Sequence, residues 1–383
     1  MVYLDNAATT FPKPDEVMNA VDFCQRSFAV NVGRGAYPVA TQAAKVVDET
    51  RSLLASFVNA ANPNRIVFTP SATIAANEVI WGLEWDLYKT VYVSPFEHNA
   101  IMRPLNMVCQ KYHLEMKMIP FDPSTQEWDK EETERLFTSD PPDYIFLNQI
   151  SNVTGLILPV AAIASMAKQL SDCTVIVDAS QSIGLVDINV QNTDVDFWVF
   201  AGHKNLYASW GIGGFILNGK LLNPTIAGGT GSDSLNLSMS NLPPAGFEAG
   251  SPNIIAISSL NAALKWLNSV GINAIAKHKK QLMGKLISEV RSLGAATYLP
   301  YNLESHTSVL SINVEDYEPS SIGEILGSDY NIAVRTGFHC APFVHRLIGT
   351  EESLGTVRIS VGYFNTERDI DAVVNALGEI MEG

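Results

Sequence analysis

Residues 197–214 read FWVFAGHKNLYASWGIGG. Phe197, Trp198, Val199 and Phe200 make an apolar run with strand character, and after Ala201 and Gly202 the chain delivers His203 and Lys204 side by side. An imidazole and an amine at the end of a buried strand both lose solvation, so the position demands a compensating partner. A second run, CTVIVDASQS at residues 173–182, has the same form and is ended by Asp178. Strands that are apolar at every position are buried on both faces, the habit of a parallel sheet covered by helices.

The same texture extends outward in both directions. RIVFT (65–69), TVYVS (90–94), LEMKMIPF (114–121), YIFLNQI (144–150) and GGFIL (213–217) complete a set of seven candidate strands. Amphipathic segments lie between most of them: ATIAANEVIWGLEWDL, AIMRPLNMVCQKY, KEETERLFTS and PVAAIASMAKQLS. This alternation predicts an α/β fold with a mainly parallel seven-stranded sheet wrapped by helices. Beyond the loop MSNLPPAGFEAGSPN the pattern changes to one long helical region over 256–293. TSVLSINV, SSIGEILGS, NIAVRT, TVRISVG and a last helix, ERDIDAVVNALGEIME, follow. That succession predicts a smaller α+β C-terminal domain. The expected division is residues 14–258 for the large domain and 1–13 with 259–383 for the small one, with NAATTFPKP crossing between them.

Composition narrows the class of protein. With 383 residues, 46% hydrophobic and 17% charged, the chain has the makeup of a well-packed enzyme. A net charge of −15 argues against nucleic acid and anionic membrane as partners. The longest apolar stretch, GLILPVAAIASMA, is too short to span a bilayer, and the opening MVYLDNAATT lacks a basic leader region. Cys24, Cys109, Cys173 and Cys340 are far apart and form no C-x-x-C pair, so no disulfide framework or zinc ribbon is expected. A reducing cytoplasm is the expected location, where a thiol stays free.

Candidate chemistry collects at strand ends, where open α/β sheets bind ligands. Thr69-Pro70-Ser71-Ala72-Thr73 sets hydroxyl groups at a helix start, whose free N–H groups and dipole favour an anion. His98 follows the strand TVYVS, and Asn152 sits in a turn after YIFLNQI. Asp178 and Lys204 end two very apolar runs. A buried Asp178–Lys204 salt bridge is one account of them. The other is a ligand with a phosphate, a group that welcomes an acid and a carbonyl that an amine captures; pyridoxal phosphate has all three. Desolvation makes a lysine a better nucleophile and proton carrier.

Motifs spread over the chain strengthen the second account. YLDNAATT, FTPSAT, EHNA, SNVTG, VDASQS, GHKNLY, FEAGSPN, RTGFHCA and VRISVGYFNT occur in this order from Tyr3 onward. Together they make the chain resemble the class V aminotransferase superfamily, fold type I pyridoxal phosphate enzymes. Within it the resemblance is to the cysteine desulfurase and selenocysteine lyase branch. RTGFHCA is similar to the second group of desulfurases, which has a short, ordered cysteine loop. The resemblance implies that Lys204 carries the cofactor, Asp178 pairs with its ring nitrogen, His98 stacks on its face and Gln181 reaches its hydroxyl. Ala72, Thr73 and His203, with Ser180, would hold the phosphate. Thr230 in AGGTGSDS would reach the phosphate of a neighbouring subunit, which implies a homodimer. Asn152 and Arg358, with Arg335 close by, would hold the substrate carboxylate.

By the same resemblance Cys340 is the nucleophile that takes sulfur from L-cysteine as a persulfide and leaves alanine, with Arg335 and His339 as candidate cations beside its thiolate. A protein that accepts the sulfur or selenium is an implied partner. Selenocysteine lyase is the nearest alternative, followed by transamination or β-elimination without Cys340, and by a cofactor-bearing scaffold. A metal site at His339, Cys340 and His345 lacks a fourth ligand in the sequence. Two positions depart from the family pattern: Ile74 stands where glutamate is usual, and Trp210 adds bulk in the segment after Lys204.

Overall fold

The computed structural model describes residues 1–32, 35, 37–230 and 235–382. Its largest sheet has seven strands, in the order Ile66–Thr69, Gly213–Leu217, Phe197–Ala201, Thr174–Asp178, Tyr144–Asn148, Val91–Val93 and Met116–Met118. The last five run parallel to one another, and Gly213–Leu217 runs antiparallel to both of its neighbours. Every residue of Tyr144–Asn148, Thr174–Asp178, Phe197–Ala201 and Gly213–Leu217 is buried. Full burial of side chains such as Phe197 and Phe200 contributes about 1.5–3 kcal/mol each, which is why uniformly apolar runs settle in the centre of the sheet.

Register brings the strand ends level. Asn148 lies opposite Asp178, Asp178 opposite Val199, and Ala201 opposite Gly213, which in turn faces Thr69. The turns after Asn148, Asp178, Ala201 and Thr69 therefore leave the sheet along one edge.

Helices start where the local chemistry allows. Ser71 caps Ala72–Gly82, Asp129 caps Lys130–Ser139 and Asn253 caps Ile254–Val270, each side chain accepting a backbone N–H of the first turn. The long helical region is two helices, Ile254–Val270 and Ile272–Ser292, because Gly271 between them adopts φ +84°. The boundary expected at 258/259 falls inside the first of these, whose Leu260, Leu264 and Leu267 join the core against the large sheet.

A four-stranded antiparallel sheet orders Arg335–Gly337, Thr356–Ser360, Val309–Asn313 and Ala296–Tyr298. Arg335 and Arg358 are direct cross-strand partners in it. The N-terminal strand Val2–Tyr3 pairs with Ile332–Ala333, and Leu4 is buried in the same core as Leu310, Ile359 and Leu377. From there the chain crosses to the large sheet, where Thr9 and Thr10 bond to the carbonyl of His203. Among the described residues, no helix is long and apolar enough to cross a membrane.

Candidate active site

Asp178 is the last residue of its strand and 8% exposed; its Oδ1 accepts the Ser180 N–H at 2.8 Å. Lys204 lies three residues past the end of the adjoining strand, its carbonyl held by the Thr10 hydroxyl at 3.0 Å. Among the described ion pairs Lys204 and Asp178 do not meet, so the simple salt bridge does not account for them. They still feel one another. Burial lowers the Lys204 amine from its ordinary value, and Asp178 opposes that shift. Arg358, Arg335 and Cys340 act on the same amine, which places all five groups in one cluster.

His98 caps the helix Asn99–Tyr112, its Nδ1 accepting the Ala100 N–H at 3.0 Å. Burial, with the Lys204 charge, pushes its pKa down to about 4. The ring is thus neutral at pH 7, its Nδ1 is occupied as an acceptor, and its orientation is fixed by the cap. The first N–H of that helix, from Asn99, donates to the carbonyl of Cys340 at 2.7 Å. One helix start therefore anchors both the imidazole and the cysteine loop.

His339 and Cys340 both adopt left-handed backbone, φ +50° and +60°, which bulky residues rarely do. Arg335 Nη2 donates to Cys340 Sγ at 3.0 Å. That contact sets a positive charge directly beside the sulfur. His339 does not share this role. It is 2% exposed, its Nε2 bonds the Thr356 hydroxyl at 2.9 Å, and burial with Arg358 nearby drives its pKa well below 6.5. The ring is neutral, so the positive charge beside the sulfur comes from Arg335 alone of the two. His345 is engaged separately, Nδ1 to the Thr350 hydroxyl at 2.7 Å.

Arg358 is fully buried in its strand. Its Nη2 pairs with Asp5 Oδ1 at 2.6 Å, its Nη1 donates to the Asn152 carbonyl at 3.1 Å, and its Nε has no partner. Asn152 donates from Nδ2 to the His339 carbonyl at 2.8 Å while its Oδ1 stays unpartnered. Asp5 was missed in the sequence reading. The available signal was a carboxylate between Leu4 and Asn6 in an otherwise uncharged motif.

At the other end of the site, Ser71 Oγ accepts the Ile74 N–H at 3.3 Å, which leaves the first N–H groups of the helix, from Ala72 and Thr73, free of intrahelical acceptors. That helix start is pressed against the sheet: a Cβ on Gly213 would come within 2.6 Å of the Ala72 nitrogen. His203 has a buried Nδ1 without a partner and a pKa pushed down to about 3 by burial and the nearby Lys204 and Lys13. Gln181 Nε2 donates to the Ala7 carbonyl at 2.8 Å. Its own carbonyl receives Asn205, which is fixed in turn by buried Lys279 at 2.9 Å. Thr230 lines a cavity of about 830 Å³ together with Thr69, Pro70 and Gly211. The rest of AGGTGSDS, residues 231–234, lies outside the described residues.

Ser180 Oγ, His203 Nδ1, Asn152 Oδ1 and Arg358 Nε are all buried without partners. Such a group costs about 1–3 kcal/mol when left unmatched, so each of these four is a place where a polar ligand would supply the missing partner. The donor set fits pyridoxal phosphate: helix N–H groups and His203 for a phosphate, Asp178 for a ring N–H, and a partly desolvated lysine for an aldehyde.

The Aminotransferase class-V family profile matches residues 2–373. The chain belongs to this family. A probable cysteine desulfurase of Pyrococcus abyssi is 31% identical over 100% of this chain and 94% of its own. The structure of apo cysteine desulfurase from Thermococcus onnurineus NA1 superposes with a TM-score of 0.91 at 28% identity, covering 100% of this chain and 95% of that one. An Escherichia coli cysteine desulfurase solved in an S-sulfonic acid form gives a TM-score of 0.85 at 28% identity, over 100% and 94%. The class V family and the α/β fold expected from the sequence both hold.

Proposed function

We propose that this protein is a pyridoxal phosphate-dependent cysteine desulfurase that moves sulfur from L-cysteine to Cys340 and releases L-alanine. The observation that carries this reading is the Arg335–Cys340 contact at 3.0 Å, with the sulfur in the same electrostatic cluster as Lys204. Full-length similarity to cysteine desulfurases supports it.

When bound, pyridoxal phosphate supplies an aldehyde that captures amines and a ring that withdraws electrons from the substrate carbon. The residues divide the remaining work. Ala72, Thr73, His203 and Ser180 would hold the phosphate, joined by Thr230 of the partner subunit in a homodimer. Asp178 would keep the proton on the ring nitrogen, Gln181 would meet the ring hydroxyl and neutral His98 would cover the ring. Arg358 Nε and Asn152 Oδ1, two of the unpartnered atoms at that end, would orient the amino acid with Arg335 nearby. Lys204, its basicity tuned by burial, removes the α-proton and returns it.

Cys340 then attacks the substrate sulfur as a thiolate. The new S–S bond forms as the Cβ–S bond breaks, its electron pair going to carbon, which is protonated as alanine appears. The balance is cysteine plus one protein thiol giving alanine plus one protein persulfide. A reducing cytoplasm keeps the thiol available, and a downstream acceptor protein removes the outer sulfur. We keep the division into a large and a small domain but move the boundary from 258/259 to the break at Gly271, so that the helix Ile254–Val270 stays with the core it packs on, the cleft between the two being the site.

The test measures alanine release from cysteine and selenocysteine side by side for the wild-type protein and Cys340→Ala, with mass spectrometry for a persulfide on Cys340. Loss of cysteine turnover in the variant and a trapped persulfide in the wild type are expected. Full activity of Cys340→Ala on cysteine would replace this reading with a reaction that needs no thiol.

A further inference from the structure

His203 is held at both ends. Its carbonyl accepts from Thr9 Oγ1 at 2.9 Å, from Lys13 Nζ at 2.7 Å and from the Thr10 N–H at 3.2 Å, so its backbone cannot turn. Its ring is stacked on Trp210, with centroids 3.9 Å apart and planes 18° from parallel. Trp210 itself is 64% exposed. Burial of the indole therefore does not explain its position, and the face it gives up is the one covering the imidazole. His203 Nδ1 is meanwhile buried without a partner.

We infer that Trp210 is a positioning residue for the phosphate end of the cofactor, acting through His203. The stack fixes the plane of the imidazole and so aims Nδ1 before any ligand arrives, which removes an ordering cost from binding. A neutral imidazole stacks on indole without a charge to desolvate, as an offset or parallel aromatic pair does. This assigns Trp210 to cofactor retention rather than to choice of substrate. The inference rests on the pyridoxal phosphate reading above.

The experiment titrates apoprotein with pyridoxal phosphate, and separately with pyridoxal, following the visible absorbance that either aldehyde gains on binding. Wild type, Trp210→Phe and Trp210→Ala are compared, with thermal melts of each apoprotein to verify folding. In Trp210→Ala the dissociation constant for pyridoxal phosphate should rise about tenfold, the upper end for loss of one stacked pair. That for pyridoxal, which has no phosphate, should stay within about twofold, and Trp210→Phe should resemble wild type, since a ring remains to stack. Unchanged affinity in Trp210→Ala, or equal weakening toward both aldehydes, would overturn the assignment. So would a loss that vanishes at protein concentrations high enough to restore a dimer, since Trp210 would then belong to a subunit contact. If wild type binds neither aldehyde, the cofactor reading itself fails, which the same titration separates from failure of the Trp210 role.

Discussion

The two halves of the site are built by different means. At the edge of the large sheet, Asp178, Lys204, His203 and the helix start at Ala72 are each placed by backbone: a strand ends, register levels it with its neighbour, and the next few residues project. In the C-terminal sheet, Arg335 and Arg358 project from within strands as cross-strand partners. What aims them is a side chain from far away, Asp5, or the sulfur of a left-handed loop. One half is a property of strand order. The other depends on a few long-range contacts, and single substitutions should expose the difference.

The largest effect is expected at Asp5. Asp5→Ala leaves the fully buried guanidinium of Arg358 without its ion-pair partner, a change that costs about 3 kcal/mol or more. Urea unfolding should reveal that loss, and KM for cysteine should rise as Arg358 swings free. Cofactor absorbance should persist, because the strand-end half does not use Asp5. Equal loss of cofactor would break the division.

Glu97 sharpens the other half. It is completely buried, bonded by the Ser94 hydroxyl at 2.7 Å, and pushed up to about 8 by burial, with Asp178 adding to the shift. A carboxyl group whose pKa is raised on folding stabilises the fold below its unfolded value near 4.5, and that contribution drains away as pH climbs toward 8. Glu97→Gln, which cannot ionise, should therefore gain in melting temperature relative to wild type at pH 8 but not at pH 5. The corresponding difference in unfolding free energy at pH 8 should be on the order of 4 kcal/mol. His98 works in the opposite window: its depressed pKa of about 4 means stability is lost as pH falls from 6.5 toward 4. Identical pH profiles for Glu97→Gln and wild type would show that the acid beside His98 is already ionised.

The smallest effect concerns Arg335. Removing the guanidinium from Cys340 Sγ in Arg335→Met should slow alkylation by iodoacetamide at pH 7 by a few-fold, about 1 kcal/mol, the scale of one partly exposed charge contact. His339→Gln, which alters a neutral ring, should leave the rate near wild type. A reversal of that order would restore His339 as the partner of the sulfur.

The strand-end half was readable in advance, since an apolar run interrupted by Asp178 or by His203 and Lys204 announces both a strand and its end. The four helical segments quoted between strands also appear, although ATIAANEVIWGLEWDL keeps helix only to Gly82. The break at Gly271 went unread, because a glycine between two amphipathic stretches is tolerated in a helix until its φ is known. The ion pair of Asp5 with Arg358 joins residues 353 apart, and no local period encodes a contact of that span. The charge of His339 was equally unreadable, since neutrality there is a consequence of burial among cations and not of any neighbour in sequence.

By itself the sequence determined the α/β sheet, the residues at its carboxyl edge and the chemistry their types can perform, because periodicity and strand-ending polar residues are local facts. Tertiary structure decided which charges meet: Arg335 on the sulfur, Asp5 on Arg358, Trp210 on His203. Coulomb and stacking energies act over a few ångströms of space, and only the folded chain sets those distances.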